Sequence, residues 1–148
     1  MSESEIQGCT CAKLRRLTRR VTAVYDRVMV PHGMTVTQYS LLSQLRHLDG
    51  QSLSEIASQL DMDRSSLTRT LRPLADAGWV ELTPKPGDAR ARGVRLTAAG
   101  RAERERMRPY WLEAQLQVQQ LLGRPETARL HEWIDRYLPR FRPAEECP

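Results

Sequence analysis

The sequence predicts a mainly α-helical fold carrying one small β-hairpin, and three observations predict it. Apolar residues recur at helical spacing over most of the 148 positions. Helix-capping residues stand in close succession at Thr35, Ser52 and Asp63. One stretch alone, Trp79-Val80-Glu81-Leu82 followed by Val94-Arg95-Leu96, alternates apolar with polar residues around a Pro- and Gly-containing break.

The first helix carries Leu14, Leu17, Val21, Val24 and Val28 as an apolar seam, while Arg15, Arg16, Arg19 and Arg20 fall off it, so one face packs and the other is wet and basic. After Pro31 and Gly33 the chain restarts at Thr35, which with Gln38 has capping-box spacing. A second helix is expected from there to about Leu48. Asp49-Gly50 ends it, and Ser52 with Glu55 repeats the box before a two-turn helix bearing Leu53, Ile56, Ala57 and Leu60. Asp61-Met62-Asp63 is a tight break. Asp63 then caps a helix whose Leu67, Leu71 and Leu74 face one way until Gly78, leaving Arg64, Ser65, Ser66, Thr68 and Arg69 outward. Pro73 is expected to bend this helix after Arg69.

The alternating stretch reads as a hairpin with a long tip through Pro84, Pro86, Gly87 and Asp88. Thr97 caps a long helix bearing Met107, Tyr110, Trp111, Ala114, Val118 and Leu121, with a kink expected at Pro109. A last helix starts near Pro125, carries Leu130, Trp133, Ile134, Tyr137 and Leu138, and stops at Pro139. The first and last two helices bring more apolar stripe than one small domain absorbs.

Lys and Arg total 23 against 18 Asp and Glu, a formal net charge of +5. Between residues 64 and 95 seven basic residues face three acidic ones, so this segment, from the second helix of the pair through the hairpin, carries +4, a local excess as a nucleic-acid footprint requires. No apolar run reaches the roughly 18 residues of a membrane span. The polar start MSESEIQG is unlike a secretory signal, and the expected location is cytoplasmic. Cys9, Cys11 and Cys147 are an odd set at the chain ends, which fits free thiols better than a disulfide framework. There is no Gly-rich phosphate loop, metal-ligand cluster or nucleophile-base pairing; no enzymatic activity, cofactor or metal is expected.

Two short helices around a three-residue turn, followed by a basic hairpin, suit double-stranded DNA, because the major groove admits one helix, whose side chains read the base edges. Arg64 and Arg69 are placed to donate bidentately to guanine, and Ser65, Ser66 and Thr68 to touch bases or phosphates. Arg90 is assigned to a narrow minor groove, Arg92 and Lys85 to phosphate neutralisation, and Asp88 to orienting the arginines of the hairpin.

Three stretches carry a family resemblance: SLSEIASQLDMDRSSLTRTLRPL from residue 52, Gly78-Trp79-Val80 leading into Asp88-Ala89-Arg90-Ala91-Arg92 and Val94-Arg95-Leu96-Thr97 with Gly100, and GMTVTQYSLL from residue 33. Together they resemble the MarR family of winged helix-turn-helix regulators, over about Cys11 to Tyr137. Leu82 stands where that family often has Arg. The resemblance implies a transcriptional regulator, most simply a repressor, that binds a palindromic operator as a homodimer and is released by a signal. Residues 35–96 would form the winged helix-turn-helix, and 1–34 with 97–148 the helical dimerisation region.

Two inputs stay open. The placement of Cys11 ahead of Thr22, Tyr25 and Gln38-Tyr39 resembles the peroxide-sensing branch of the family, although Arg15 and Val36 occupy two of its three usual tyrosine positions. That resemblance implies an oxidant sensor at Cys11, with Cys9 as a local resolving thiol, and the basic start of the first helix favours thiol reactivity there. The other input is a small aromatic or phenolic effector in a pocket lined by Arg16, Tyr25, Tyr39, His47 and Trp111. A rival to the regulator as a whole is an architectural or protein-interaction winged helix without a specific operator.

Overall fold

The computed structural model describes residues 8–85 and 87–141, with the side chains at 85 and 88–91 outside the description. Helix α1 (Thr10–Met29) leads through a short 3-10 turn into α2 (Val36–Leu45), α3 (Leu53–Gln59) and α4 (Arg64–Asp76). The strands β1 (Val80–Lys85) and β2 (Asp88–Leu96) follow, then α5 (Ala98–Leu122) and α6 (Arg124–Tyr137).

The caps expected from the sequence form. Thr35 and Ser52 each accept from the backbone N–H three residues on, while Gln38 and Glu55 reach back to close both boxes. Helix α2 stops at Leu45, three residues short of the expected Leu48, because the chain turns through Arg46–Gly50. Leu48 is still buried, so the apolar period outlasts the helical backbone. Helices α4 and α5 each run on through Pro73 and Pro109. Both prolines are exposed, and water can satisfy the carbonyl that each leaves without its helical donor.

The hairpin differs from expectation. Its strands pair from Val80↔Leu96 to Lys85↔Asp88 with an irregularity at Pro84/Lys85, so the tip is only two residues and not a long loop. Gly87, at φ 84°, supplies the left-handed conformation that a two-residue connection needs. The ribbon gains a third partner in the chain before α3: Ser52 bridges Gly93, and Val94 and the 50–51 backbone exchange bonds of 2.8 and 2.9 Å.

The core lies where α2, α3, α4, the base of the hairpin and α5 meet, with Met34, Leu42, Leu45, Ile56, Leu67, Leu74, Val94 and Met107 inside. Thr97 fastens α5 to it, donating its hydroxyl to the Gly78 carbonyl at 2.7 Å and accepting from the Gly100 N–H at 3.0 Å. At Gly100 the helix backbone presses on the Trp79 carbonyl so closely that a Cβ would sit 2.1 Å from its oxygen. Helix α1 packs on α5 and α2 from about Val21 onward, and its first half stands clear of the protomer.

Candidate nucleic-acid interface

The reading surface is built by the turn between α3 and α4. Asp61 adopts φ 51°, a conformation a short polar residue tolerates, and this reverses the chain in three residues. Asp63 then accepts from the Ser66 N–H at 2.8 Å and from the Ser66 hydroxyl at 2.6 Å, fixing the first turn of α4. These two bonds, the hydroxyl first, hold the Asp63 carboxyl below the usual aspartate range. With Leu67, Leu71 and Leu74 buried, the opposite face of the helix turns outward, and Arg64, Ser65, Thr68, Arg69 and Arg72 are exposed on it.

The structure divides hydroxyls that the sequence treats alike. Ser66 is half-buried, spends its proton on Asp63 and accepts from the Arg69 guanidinium at 3.2 Å. Thr68 donates to the Arg64 carbonyl at 2.8 Å, so outward it offers only acceptor capacity. Ser65 has neither commitment among the described residues. Arg72, absent from the sequence-derived set, shares the exposed face with Thr68 and Arg69; its spacing of four and three residues from them was the available signal.

The hairpin stands beside α4, against which β1 packs. Along β2 the side chains alternate: Val94 and Leu96 are buried, Arg95 is exposed on the other face, and Arg92 continues the inner face beyond the edge of the core, where it too is exposed. Lys85, Asp88 and Arg90 belong to the strands flanking the tip, with side chains outside the described residues.

The five residues expected to line an effector pocket do not gather in one place. Tyr39 is buried and stacks on Trp111 with ring centroids 5.8 Å apart, and the Arg104 guanidinium lies 5.6 Å from the Tyr39 ring. Half-buried Tyr25 donates to Gln115 of α5, and burial pushes its phenol above the usual tyrosine range. Tyr39 and Trp111 stack between α2 and α5, and Tyr25 reaches α5 from α1, all three packed in or against the core, whereas Arg16 is exposed on the free half of α1 and His47 in the turn after α2. A groove of about 300 Å³ opens on the flank of α2 that faces α4, lined by Val36, Ser40, Leu41, Leu60, Met62 and Thr70 among others, and by none of the five. Cys9 occupies the N-cap of α1 and Cys11 its first turn; both are exposed free thiols, and Cys147 lies outside the described residues. Among the described residues no three His, Cys, Asp or Glu side chains cluster as metal ligands, and no helix is long and apolar enough to cross a membrane.

A helix delivered by a tight turn and flanked by a basic two-stranded ribbon defines the class: a winged-helix regulator of transcription that binds double-stranded DNA. The MarR family model matches residues 34–91, from the start of α2 into the second strand. The transcriptional regulator PecS of Dickeya dadantii is 28% identical over 128 residues, covering 76% of this chain and 77% of PecS. Among solved structures, the M. tuberculosis transcriptional regulator MOSR in complex with DNA is 31% identical, with a TM-score of 0.69, over 87% of this chain and 98% of that one. The transcriptional repressor CouR bound to a 23-mer DNA duplex is 25% identical, with a TM-score of 0.78, over 93% and 98% of the two chains. The chain belongs to the MarR family.

Proposed function

We propose that this protein is a cytoplasmic repressor, without enzymatic activity, that reads a pseudo-palindromic operator as a homodimer. Helix α4 enters the major groove with Arg64 and Arg69 on guanine edges and Ser65 and Thr68 beside them. The hairpin brings Arg90 to the flanking minor groove, Lys85 and Arg92 to phosphates, and Asp88 orients the arginines. The observation that carries this reading is the outward face of α4, where the Arg64, Arg69 and Arg72 guanidinium groups stand exposed, with Arg69 held near Asp63 through Ser66.

Residues 35–96 form the reading lobe, and residues 1–34 with 97–148 the dimerisation region. Support for the second assignment is the apolar surface the terminal helices leave uncovered: Leu14 and Leu17 on α1, Leu116 and Leu121 on α5, and Trp133 and Ile134 on α6. The release signal is an oxidant acting at Cys11 and Cys9, or an aromatic effector acting near the junction of Tyr25, Tyr39 and Trp111.

Footprinting tests the output. Protection of two half-sites about one helical turn apart is expected, and Arg64→Ala or Arg69→Ala should relax base preference by about 1–3 kcal/mol at one position each. A salt-sensitive, sequence-blind footprint would instead identify an architectural protein. Peroxide-driven release compared between the native protein and Cys11→Ser, with phenolic acids alongside, decides the input.

A further inference from the structure

Besides β1, the strand β2 has a neighbour on its other edge. Val94 donates to the Gln51 carbonyl at 2.9 Å and accepts from the Gly50 N–H at 2.8 Å, and Ser52 bridges Gly93. In an antiparallel ladder the N–H and C=O of one residue point to the same side, and residues two apart share that side. The N–H of Leu96 is therefore next in the row that faces residues 50–52. Backbone partners run out at this point, because Gly50, at φ 80°, turns the chain aside. The Asp49 side chain stands in for the missing carbonyl: its Oδ1 accepts the Leu96 N–H at 3.0 Å.

Two further features mark this junction. Gly93 approaches residue 50 so closely that a Cβ on it would lie 3.0 Å from the Gly50 carbonyl oxygen. The other oxygen of Asp49, Oδ2, lies 3.9 Å from the Arg101 guanidinium at the start of α5, a loose pair between partly exposed side chains that contributes little. Leu96 by contrast is buried, and a buried N–H left without a partner is costly. The weight of Asp49 thus falls on its bond to β2.

We infer that Asp49 is a positioning residue for DNA reading. By closing the free edge of β2 at its base, it sets the angle at which the hairpin leaves the lobe and so where Arg90 and Arg92 meet the duplex. Leverage explains why one bond matters. From Leu96 to Asp88 the strand runs about 26 Å at roughly 3.3 Å per residue, so a swing of about 10° at the base carries the tip about 5 Å, most of the roughly 6 Å width of a minor groove. Helix α4 has its own supports, the Asp63 cap and the buried Leu67, Leu71 and Leu74. Asp49 therefore governs the hairpin contact and leaves the major-groove contact alone. This inference rests on the hairpin contact proposed above, and the experiment keeps the two apart.

The probe is a duplex selected by the native full-length protein from a randomised pool. At saturating protein, dimethyl sulfate reads guanine N7 in the major groove, under α4, and hydroxyl radicals read the sugars of the flanking minor groove, under the hairpin. The native protein should protect both. Asp49→Ala should keep the guanine protection, lose about half or more of the flanking protection and bind about tenfold more weakly, the scale of one lost groove contact. Amide exchange at Leu96 should quicken in the same variant without DNA. Asp49→Asn keeps the acceptor and drops the charge, and it should restore all three readings. If Asp49→Ala does not fold, Asp49→Ser is read in its place, since its hydroxyl stops one bond short of the carboxylate oxygen. Failure of the native protein to select a sequence would count against the reading of α4, and guanine protection without flanking protection would remove the hairpin contact; either result takes this inference with it. With both native footprints present, full flanking protection in Asp49→Ala, equal loss of the two footprints, or a loss in Asp49→Asn as deep as in Asp49→Ala would each overturn the role of Asp49.

Discussion

Leu42 within α2 and Leu121 at the end of α5 are the same residue type in helical backbone, yet one is 0% exposed and the other 75%. The contrast holds for the regions around them. The helix-turn-helix, the hairpin base and the first turns of α5 enclose Leu42, Leu45, Ile56, Leu67 and Leu74 completely, whereas the far ends of α1, α5 and α6 hold Leu14, Leu116, Trp133 and Leu138 in the open. Cations divide in the opposite sense: among the described residues those of α4 make no ion pair within 4 Å, and most of those on α5 and α6 are neutralised by carboxylates three or four residues away or nearby. A region that has finished folding keeps its charges for a ligand. Helices α5 and α6, which have settled most of their charges, keep their apolar surface for a partner.

Substitutions can break this contrast. The largest effect is expected from Gly100→Ala, where a methyl would meet the Trp79 backbone at 2.1 Å; a loss of about 3 kcal/mol or more should appear in urea unfolding, because a carbonyl fixed by the hairpin cannot step aside. Leu42→Ala should cost about 2–5 kcal/mol by the same measurement. Leu121→Ala should leave the unfolding of an isolated protomer almost unchanged and instead raise the concentration at which dimers dissociate, read by sedimentation; equal effects at the two leucines would remove the distinction between the regions. Thr97→Ala, which removes a cap and the bond to Gly78, should cost about 1 kcal/mol.

The smallest effect is one of pH. The Asp63 carboxyl is held below its ordinary value, so its contribution is present above the usual aspartate range and is lost as pH falls through the lowered folded value. Asp63→Asn should therefore flatten the acid limb of a pH–stability curve, and an unchanged acid limb would mean that the α4 cap does not depend on charge.

Much of this was legible in the sequence because it is local. Capping boxes at Thr35 and Ser52, the Asp63 cap and the periodic leucines each need only a few consecutive residues, and they place α2, α3 and α4 closely. The hairpin was placed but its tip was misjudged: Pro84, Pro86 and Gly87 read as loop residues, whereas Pro84 lies in β1 and Gly87 makes a two-residue turn. The division of labour between Ser65, Ser66 and Thr68 depends on which hydroxyl proton is already committed, which composition does not encode. Aromatic gathering was half legible. Tyr39 and Trp111 meet across 72 positions of sequence, and nothing local announces that Arg16 and His47 stay outside their neighbourhood.

Helix α5 has a mechanical consequence. It is anchored at one end to the hairpin base through Thr97 and Gly100, and its other end lies among the uncovered apolar residues, 25 residues away without interruption. Such a rod is about 37 Å long, so a tilt of about 10° at the subunit contact would carry the opposite end about 6 Å. Two half-sites on one face of a duplex are about 34 Å apart and tolerate little error in that spacing. A modest change of angle between subunits is thus enough to put two intact reading heads out of step, with neither head altered in itself.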